Sequence, residues 1–104
     1  MTTLVREKTW GDSNHGWGCG YVLVDKSHSL FGLENISILT VHGDITFSKL
    51  VDKEIQQFLN LDDSELGKWC FGFDTSHFGD NLDNWSAIEV VKETERLEQQ
   101  LMLY

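Results

Sequence analysis

Residues 68–104 read KWCFGFDTSHFGDNLDNWSAIEVVKETERLEQQLMLY, and the way two periodicities follow one another in this stretch decides the fold class. Over Lys68–Phe73 the residues alternate: Trp69, Phe71 and Phe73 fall on one face, Cys70 and Gly72 on the other. A period of two marks a strand, here with one heavily aromatic face. From Ser86 the period changes. Ala87, Val90, Val91, Thr94, Leu97, Leu101 and Tyr104 recur at steps of three and four, which is one stripe of a helix. Ser86 followed by Glu89 has the form of a capping box. Glu89 with Lys92, and Glu93 with Arg96, are i,i+3 pairs expected on the wet side. An aromatic strand followed by an amphipathic helix predicts an α+β protein, a small antiparallel or mixed sheet packed by a C-terminal helix.

Upstream of this stretch the signals are shorter. Thr2–Thr9 reads as a strand, with β-favouring Thr and Val around Leu4. Trp10–Gly20 holds Gly11, Asp12, Ser13, Asn14, Gly16 and Gly18, and reads as a loop. Tyr21–Val24 is a compact apolar strand, Lys26–Gly32 a loop, and Ile36–Val41 the next strand. His42–Asp44 is a turn and Ile45–Phe47 a short extended piece. Leu50, Ile55, Phe58 and Leu59 fall near helical spacing, which predicts a helix over Lys49–Leu61. Asn60–Gly67 is polar and reads as a surface loop. There is no proline, repeat or linker, so residues 1–104 are expected to form a single α+β domain.

Composition narrows the function classes. With 40% hydrophobic residues, six Phe and four Trp, the chain is globular rather than disordered. No apolar run approaches the ~18–20 residues of a membrane span, and Met1–Trp10 is too polar for a signal peptide. A cytoplasmic protein is expected. Cys19 and Cys70 form no C-x-x-C pair, so they are expected to be reduced and mostly buried. A net charge of −9 repels phosphate backbones, which makes nucleic-acid binding an unfavourable reading. It leaves three others: plain solubility, a partner with a basic surface, or a divalent metal that offsets the carboxylates.

Four segments hold the residues suited to chemistry. In Trp17-Gly18-Cys19-Gly20-Tyr21, glycines permit close backbone approach and the aromatics could line a ligand or fill a core. His28 and Phe31 stand in His28-Ser29-Leu30-Phe31-Gly32. In Val41-His42-Gly43-Asp44-Ile45-Thr46-Phe47-Ser48, His42 is suited to acid–base work, metal ligation or donation to a phosphate oxygen, and Thr46 offers a hydroxyl. The most specific pattern is Asp74-x-x-His77-x-x-Asp80. Spacing of three brings such residues together on a tight turn. The cluster could bind a divalent metal through N and O ligands, or one Asp could orient His77. In the alternative, Asp74 only caps the turn.

These segments resemble a small protein family common in phage and prophage genomes. The family pattern has a Gly-Tyr-Val strand, a Gly-His-Pro-x-Tyr-Gly loop, a Val-His-Gly-Gly-x-Thr-Tyr/Phe-Ser stretch, and Gly-Phe-Asp-Cys-x-His-x-x-Asp before a Glu-rich helix. The chain matches at Gly20-Tyr21-Val22, at His28 with Phe31-Gly32, at Val41-His42-Gly43 with Thr46-Phe47-Ser48, and at Trp69. It matches again at Gly72-Phe73-Asp74 with His77 and Asp80, and along the helix from Trp85. It departs at Ser29, Phe31, Asp44 and Thr75, which stand where the pattern has Pro, Tyr, Gly and Cys. The resemblance implies a phage-like accessory protein acting in the host cytoplasm, a class that includes inhibitors of host defence.

Two functional expectations follow. In the first, His42, Asp74, His77 and Asp80 form a catalytic or binding cluster for a small phosphate-bearing ligand such as a nucleotide. Trp17, Tyr21, His28, Phe31 and Thr46 would then contact that ligand, and hydrolysis of a phosphoester would be the reaction if there is one. In the second, the acidic surface binds and inhibits a basic host protein. The first carries a geometric requirement. His42 and His77 must lie within roughly 10 Å of each other at one end of the sheet, partly exposed in a concavity.

Overall fold

The computed structural model describes residues 1–9, 11, 14–34 and 37–104. Four strands form one antiparallel sheet: β1 (Thr2–Glu7), β2 (Gly18–Val24), β3 (Phe47–Leu50) and β4 (Trp69–Phe73), in the order β1-β2-β4-β3. A short helix, α1 (Lys53–Leu59), and a 3₁₀ turn (Asp63–Glu65) lie between β3 and β4, and α2 (Ala87–Leu101) closes the chain. The fold is α+β, with α2 packed on strands β1 and β2. Among the described residues no helix is long and apolar enough to cross a membrane.

The alternation read in the sequence sorts the core into two layers. Phe71 and Phe73 of β4, with Val22 and Val24 of β2, are buried beneath Val90, Leu97 and Leu101 of α2. Removing one such Phe from water contributes about 2–3 kcal/mol. Cys70 of β4, with Tyr21 and Leu23 of β2, faces the other way and meets Val51 and Leu59. The α2 layer fits tightly at Gly20, where a Cβ would stand 2.0 Å from Thr94 Oγ1 and 2.6 Å from the Phe73 ring. Thr94 itself is buried, and its hydroxyl donates to the Val90 carbonyl at 2.8 Å.

Tertiary contacts revise several expected elements. The strand expected over Ile36–Val41 is irregular chain and turn over residues 37–41, while Ile36 lies outside the described residues, as do Trp10, Asp12 and Ser13 of the first loop. Leu39 and Val41 are buried as a strand would bury them, but against the α2 core. In place of a sheet neighbour, Gln100 bridges the intervening residue: Oε1 accepts from the Thr40 N–H and Nε2 donates to its carbonyl, both at 2.8 Å. The helix expected over Lys49–Leu61 spans only Lys53–Leu59. Lys49 and Leu50 pair with Cys70 and Trp69 of β4. Asp52 caps the helix by accepting from the Ile55 N–H at 2.9 Å, and Asn60 ends it in the left-handed region at φ 55°.

The buried stripe of α2 is narrower than its periodicity. Val90, Thr94, Leu97 and Leu101 are buried, whereas Val91 and Tyr104 face solvent. Ser86 occupies the N-cap position, but its hydroxyl makes no capping hydrogen bond. Both cysteines are free; burial raises the Cys19 thiol and pushes Cys70 up to about 12.

Candidate functional site

Three loops meet where β2 begins and β4 ends. The Gly16 N–H donates to the Thr75 carbonyl at 2.6 Å and the Trp17 N–H to the Trp85 carbonyl at 2.7 Å. Thr75, fully buried, donates its hydroxyl to the Gly18 carbonyl at 2.7 Å. These bonds fix the segment from Asp74 to Trp85 against the start of β2. The third loop, residues 41–44, is held from α2: Glu93 Oε2 accepts the His42 N–H at 2.7 Å.

The three loops bring His42 and His77 together. Their ring centroids are 5.4 Å apart, edge to face, well inside the distance that a shared site requires. Both rings are partly exposed, at 25% and 35%. Each has its own carboxylate. His42 Nε2 lies 2.9 Å from both oxygens of Asp80, whose side chain is only 4% exposed. A carboxylate accepts, so Nε2 carries the proton and Nδ1 of neutral His42 keeps its lone pair. The other face of His42 leans on Trp85 at 4.2 Å between centroids. His77 Nε2 lies 3.1 Å from Asp74 Oδ1, off the direction a hydrogen bond needs, and is otherwise buried. Gly43 lets it sit there. At φ 68° that residue turns a position where a Cβ would be 2.0 Å from His77 Nε2.

Asp74 and Asp80 also build the loop that carries His77. Asp74 Oδ1 accepts the Ser76 N–H at 3.0 Å. Asp80 Oδ2 accepts the His77 N–H at 2.9 Å, and the Asp80 N–H returns to the His77 carbonyl at 3.0 Å. Asp74 therefore caps the turn, as the alternative reading had it, and stands beside the His77 ring without a hydrogen bond to it, while Asp80 both caps and bonds the ring of His42. The three residues do not converge on one point, because Asp80 turns to His42 and Asp74 to His77. Among the described residues no three His, Cys, Asp or Glu side chains are disposed to hold a metal ion. The D-x-x-H-x-x-D spacing, which left a divalent metal as one of two readings, gathers no such cage among the described residues.

Beside the pair lies a concavity of about 450 Å³ lined by Asn14, Ser76, His77, Phe78, Asp80 and Asn81, with Gly79. Of the two imidazoles only His77 is on its wall; His42 stands behind Asp80, so the expectation that both open into one concavity is met by His77 alone. Lys8 Nζ donates to Ser76 Oγ at 3.1 Å, which brings a cation to the rim, and the Phe78 ring is fully exposed.

The expected ligand-contacting residues are not where the sequence reading put them. Tyr21 points to the opposite layer, packs edge-on against Phe47 at 5.4 Å and bonds with Cys19; burial, the first cause, raises its hydroxyl's pKa. His28 is a brace. Its Nε2 donates to the Leu101 carbonyl at 2.7 Å, and its Nδ1 accepts the Leu30 N–H at 3.0 Å. Leu101 lies eight residues beyond Glu93, about 12 Å along α2 from the His42 contact. Phe31 packs on Trp69 at 5.5 Å, at the far end of β4 from Asp74. Thr46 lines a separate groove along β3. Trp17 comes nearest through its backbone bond to Trp85, but its ring packs against the α2-side core.

Trp85, Glu93 and Gly43 are the contributors that the sequence reading missed as site residues. Glu93 was expected on the wet side with Arg96, and it does hold the guanidinium at 2.6 and 2.9 Å. Its side chain is nonetheless only 11% exposed, and its second oxygen takes the His42 N–H. The Arg96 guanidinium, then the His42 N–H, hold its carboxyl below the ordinary range, against burial. The folded value lies below the unfolded one. The stability from Glu93 is thus fully present above the unfolded value and is lost as pH falls through the folded one. Urea midpoints taken from about pH 7 down to about pH 3 should fall more steeply for the wild type than for Glu93→Gln, with the two curves converging at the acid end.

Fold and site together define a small α+β protein carrying a paired imidazole–carboxylate cluster on the loops at one end of its sheet. No family model, no curated protein and no solved structure matches the chain.

Proposed function

We propose that this loop site binds a small phosphate-bearing ligand of the nucleotide class, as a phage-like accessory protein would. The observation that carries the reading is the juxtaposition of His42 and His77 at 5.4 Å, each beside its own carboxylate, with His77 on the wall of a concavity. With Asp80 facing His42 and Asp74 facing His77, the remaining nitrogens of the two rings have no protein partner among the described residues. His77 lines the concavity and is the group placed to meet a phosphate oxygen. The Lys8 ammonium at Ser76 and the side-chain amide of Asn81 add donors there. Phe78 offers an unencumbered ring on which a base can stack. Hydrolysis would use His77, on the wall of the concavity, to take a proton from the attacking water and return it to the leaving oxygen.

Incubation with a nucleotide panel, with and without Mg²⁺, Mn²⁺ and Zn²⁺, tests the reading. Ligand depleted from solution and recovered intact on denaturation means binding; altered ligand means catalysis; a panel left in solution overturns the proposal. Asp74→Asn supplies the residue-level check. Asn still accepts the Ser76 N–H, so stability should stay within about 1 kcal/mol. The charge beside His77 is lost, and ligand affinity or turnover should fall by roughly 10–100-fold. Titration calorimetry beside a thermal melt reads both quantities.

A further inference from the structure

β3 is an edge strand, and its outer edge opens on a concavity of about 720 Å³. Pairing alternates along an antiparallel ladder. The Val51 N–H donates to the Lys68 carbonyl at 2.8 Å. Counting back two residues at a time, Lys49 and Phe47 also turn their backbone groups toward β4. The N–H groups of Ser48 and Leu50 then point away from the sheet, and no bond occupies them among the described residues. The lining of the groove confirms its place. Ser48, Leu50 and Trp69 come from the α2 face, while Phe47, Lys49 and Ile55 come from the α1 face. Only a channel running beside the strand, in the plane of the sheet, touches both faces.

The channel walls are mixed: Ile45, Phe47, Leu50, Ile55 and Trp69 supply apolar surface, Thr46 and Ser48 lie among them, and the charged lining is Glu34, Asp52 and Glu54 against Lys49. One wall is pinned: Ser48 Oγ donates to the Leu33 carbonyl at 2.8 Å and accepts from Trp69 Nε1 at 2.9 Å, which holds Glu34 beside the strand.

We infer that this channel accepts an extended, basic segment of another protein, which adds to the sheet as a fifth strand beside β3. Open backbone donors give the pairing, alternate apolar side chains enter the channel, and lysine or arginine side chains on the same segment meet Glu34, Asp52 and Glu54. The chain's net charge of −9 draws such a segment in. This site is independent of the histidine loops and stands or falls without them.

An end-blocked peptide of about eight alternating Lys and Val residues, long enough to cover β3 and its approaches, is the probe, added to the isotopically labelled full chain. Amide shifts should concentrate at residues 45–50, and the Ser48 and Leu50 amides should gain protection from hydrogen exchange. The same peptide methylated on alternate backbone nitrogens keeps its charge but cannot pair, and it should lose binding. Glu34→Gln with Glu54→Gln should weaken the unmodified peptide roughly tenfold at low salt. Shifts that map to β1 or scatter over the surface would overturn the inference, as would undiminished binding by the methylated peptide.

Discussion

Asp80→Ala is expected to destabilise the protein by about 3 kcal/mol and to abolish ligand binding at the loop site. Asp80 is almost wholly covered, and two groups depend on its carboxylate, beside a backbone bond that the side chain does not make. His42 Nε2 sits 2.9 Å from both its oxygens, the His77 N–H donates to Oδ2, and its own N–H returns to the His77 carbonyl. Truncation leaves a sheltered N–H and an imidazole without acceptors, at about 1–3 kcal/mol for each unpaired group. It also frees the His42 ring to turn on Trp85. Asp80→Asn separates support from chemistry. The amide oxygen can still accept from the His77 N–H, so the loop should persist at a cost of about 1 kcal/mol. The amide nitrogen, however, cannot accept, so His42 Nε2 keeps at most one of its two oxygens and loses the charge beside it. A folded Asp80→Asn with ligand affinity reduced roughly 10–100-fold is the expected result. Urea unfolding and titration calorimetry on both variants check it. Unchanged binding by Asp80→Asn would remove His42 from any functional role.

The second large effect belongs to the fold. Gly20→Val should lower stability by about 3 kcal/mol, which for a chain of this size is roughly 12 °C or more in melting temperature. Any Cβ at this position collides with Thr94 Oγ1 at 2.0 Å and with the Phe73 ring at 2.6 and 2.9 Å. Neither neighbour can withdraw. Phe73 is packed in the α2-side core, and the Thr94 hydroxyl is bonded to Val90. The helix must therefore lift from β2. Because Glu93 precedes Thr94 and holds the His42 N–H, the lift should also loosen the histidine loop. Thr94→Ala in the Gly20→Ala background removes one of the two collisions, so the double variant should melt above Gly20→Ala alone, a coupling that only contacting residues show. Differential scanning calorimetry on the set measures it, and equal melting temperatures for Gly20→Val and wild type would refute the packing account.

The charge and the periods of the chain were legible without any structure. Alternation at Trp69, Phe71 and Phe73 separates the two core layers because successive side chains of a strand must point to opposite faces. The three- and four-residue spacing of Val90, Thr94, Leu97 and Leu101 fixes α2 because a buried stripe on a helix admits no other period. His42, Asp74, His77 and Asp80 were legible as candidates because such residues seldom serve a core. What lies between the periodic segments was decided by contacts distant in sequence. Leu39 and Val41 alternate like a strand, yet Gln100, about 60 residues away, supplies the bonds to Thr40 that a strand neighbour would have made. Lys49 and Leu50 fit a helical spacing, yet β4 offers them a ladder and Asp52 starts the helix after them. The pairing of carboxylates with imidazoles followed the same logic. Spacing placed Asp74, His77 and Asp80 on one turn, but it could not show that Asp80 reaches across to His42, that Trp85 backs that ring, or that His28 is occupied with the end of α2. Local sequence sets which face a residue takes; only the closed fold sets what stands opposite that face, and the chemistry at the loops depends on the latter.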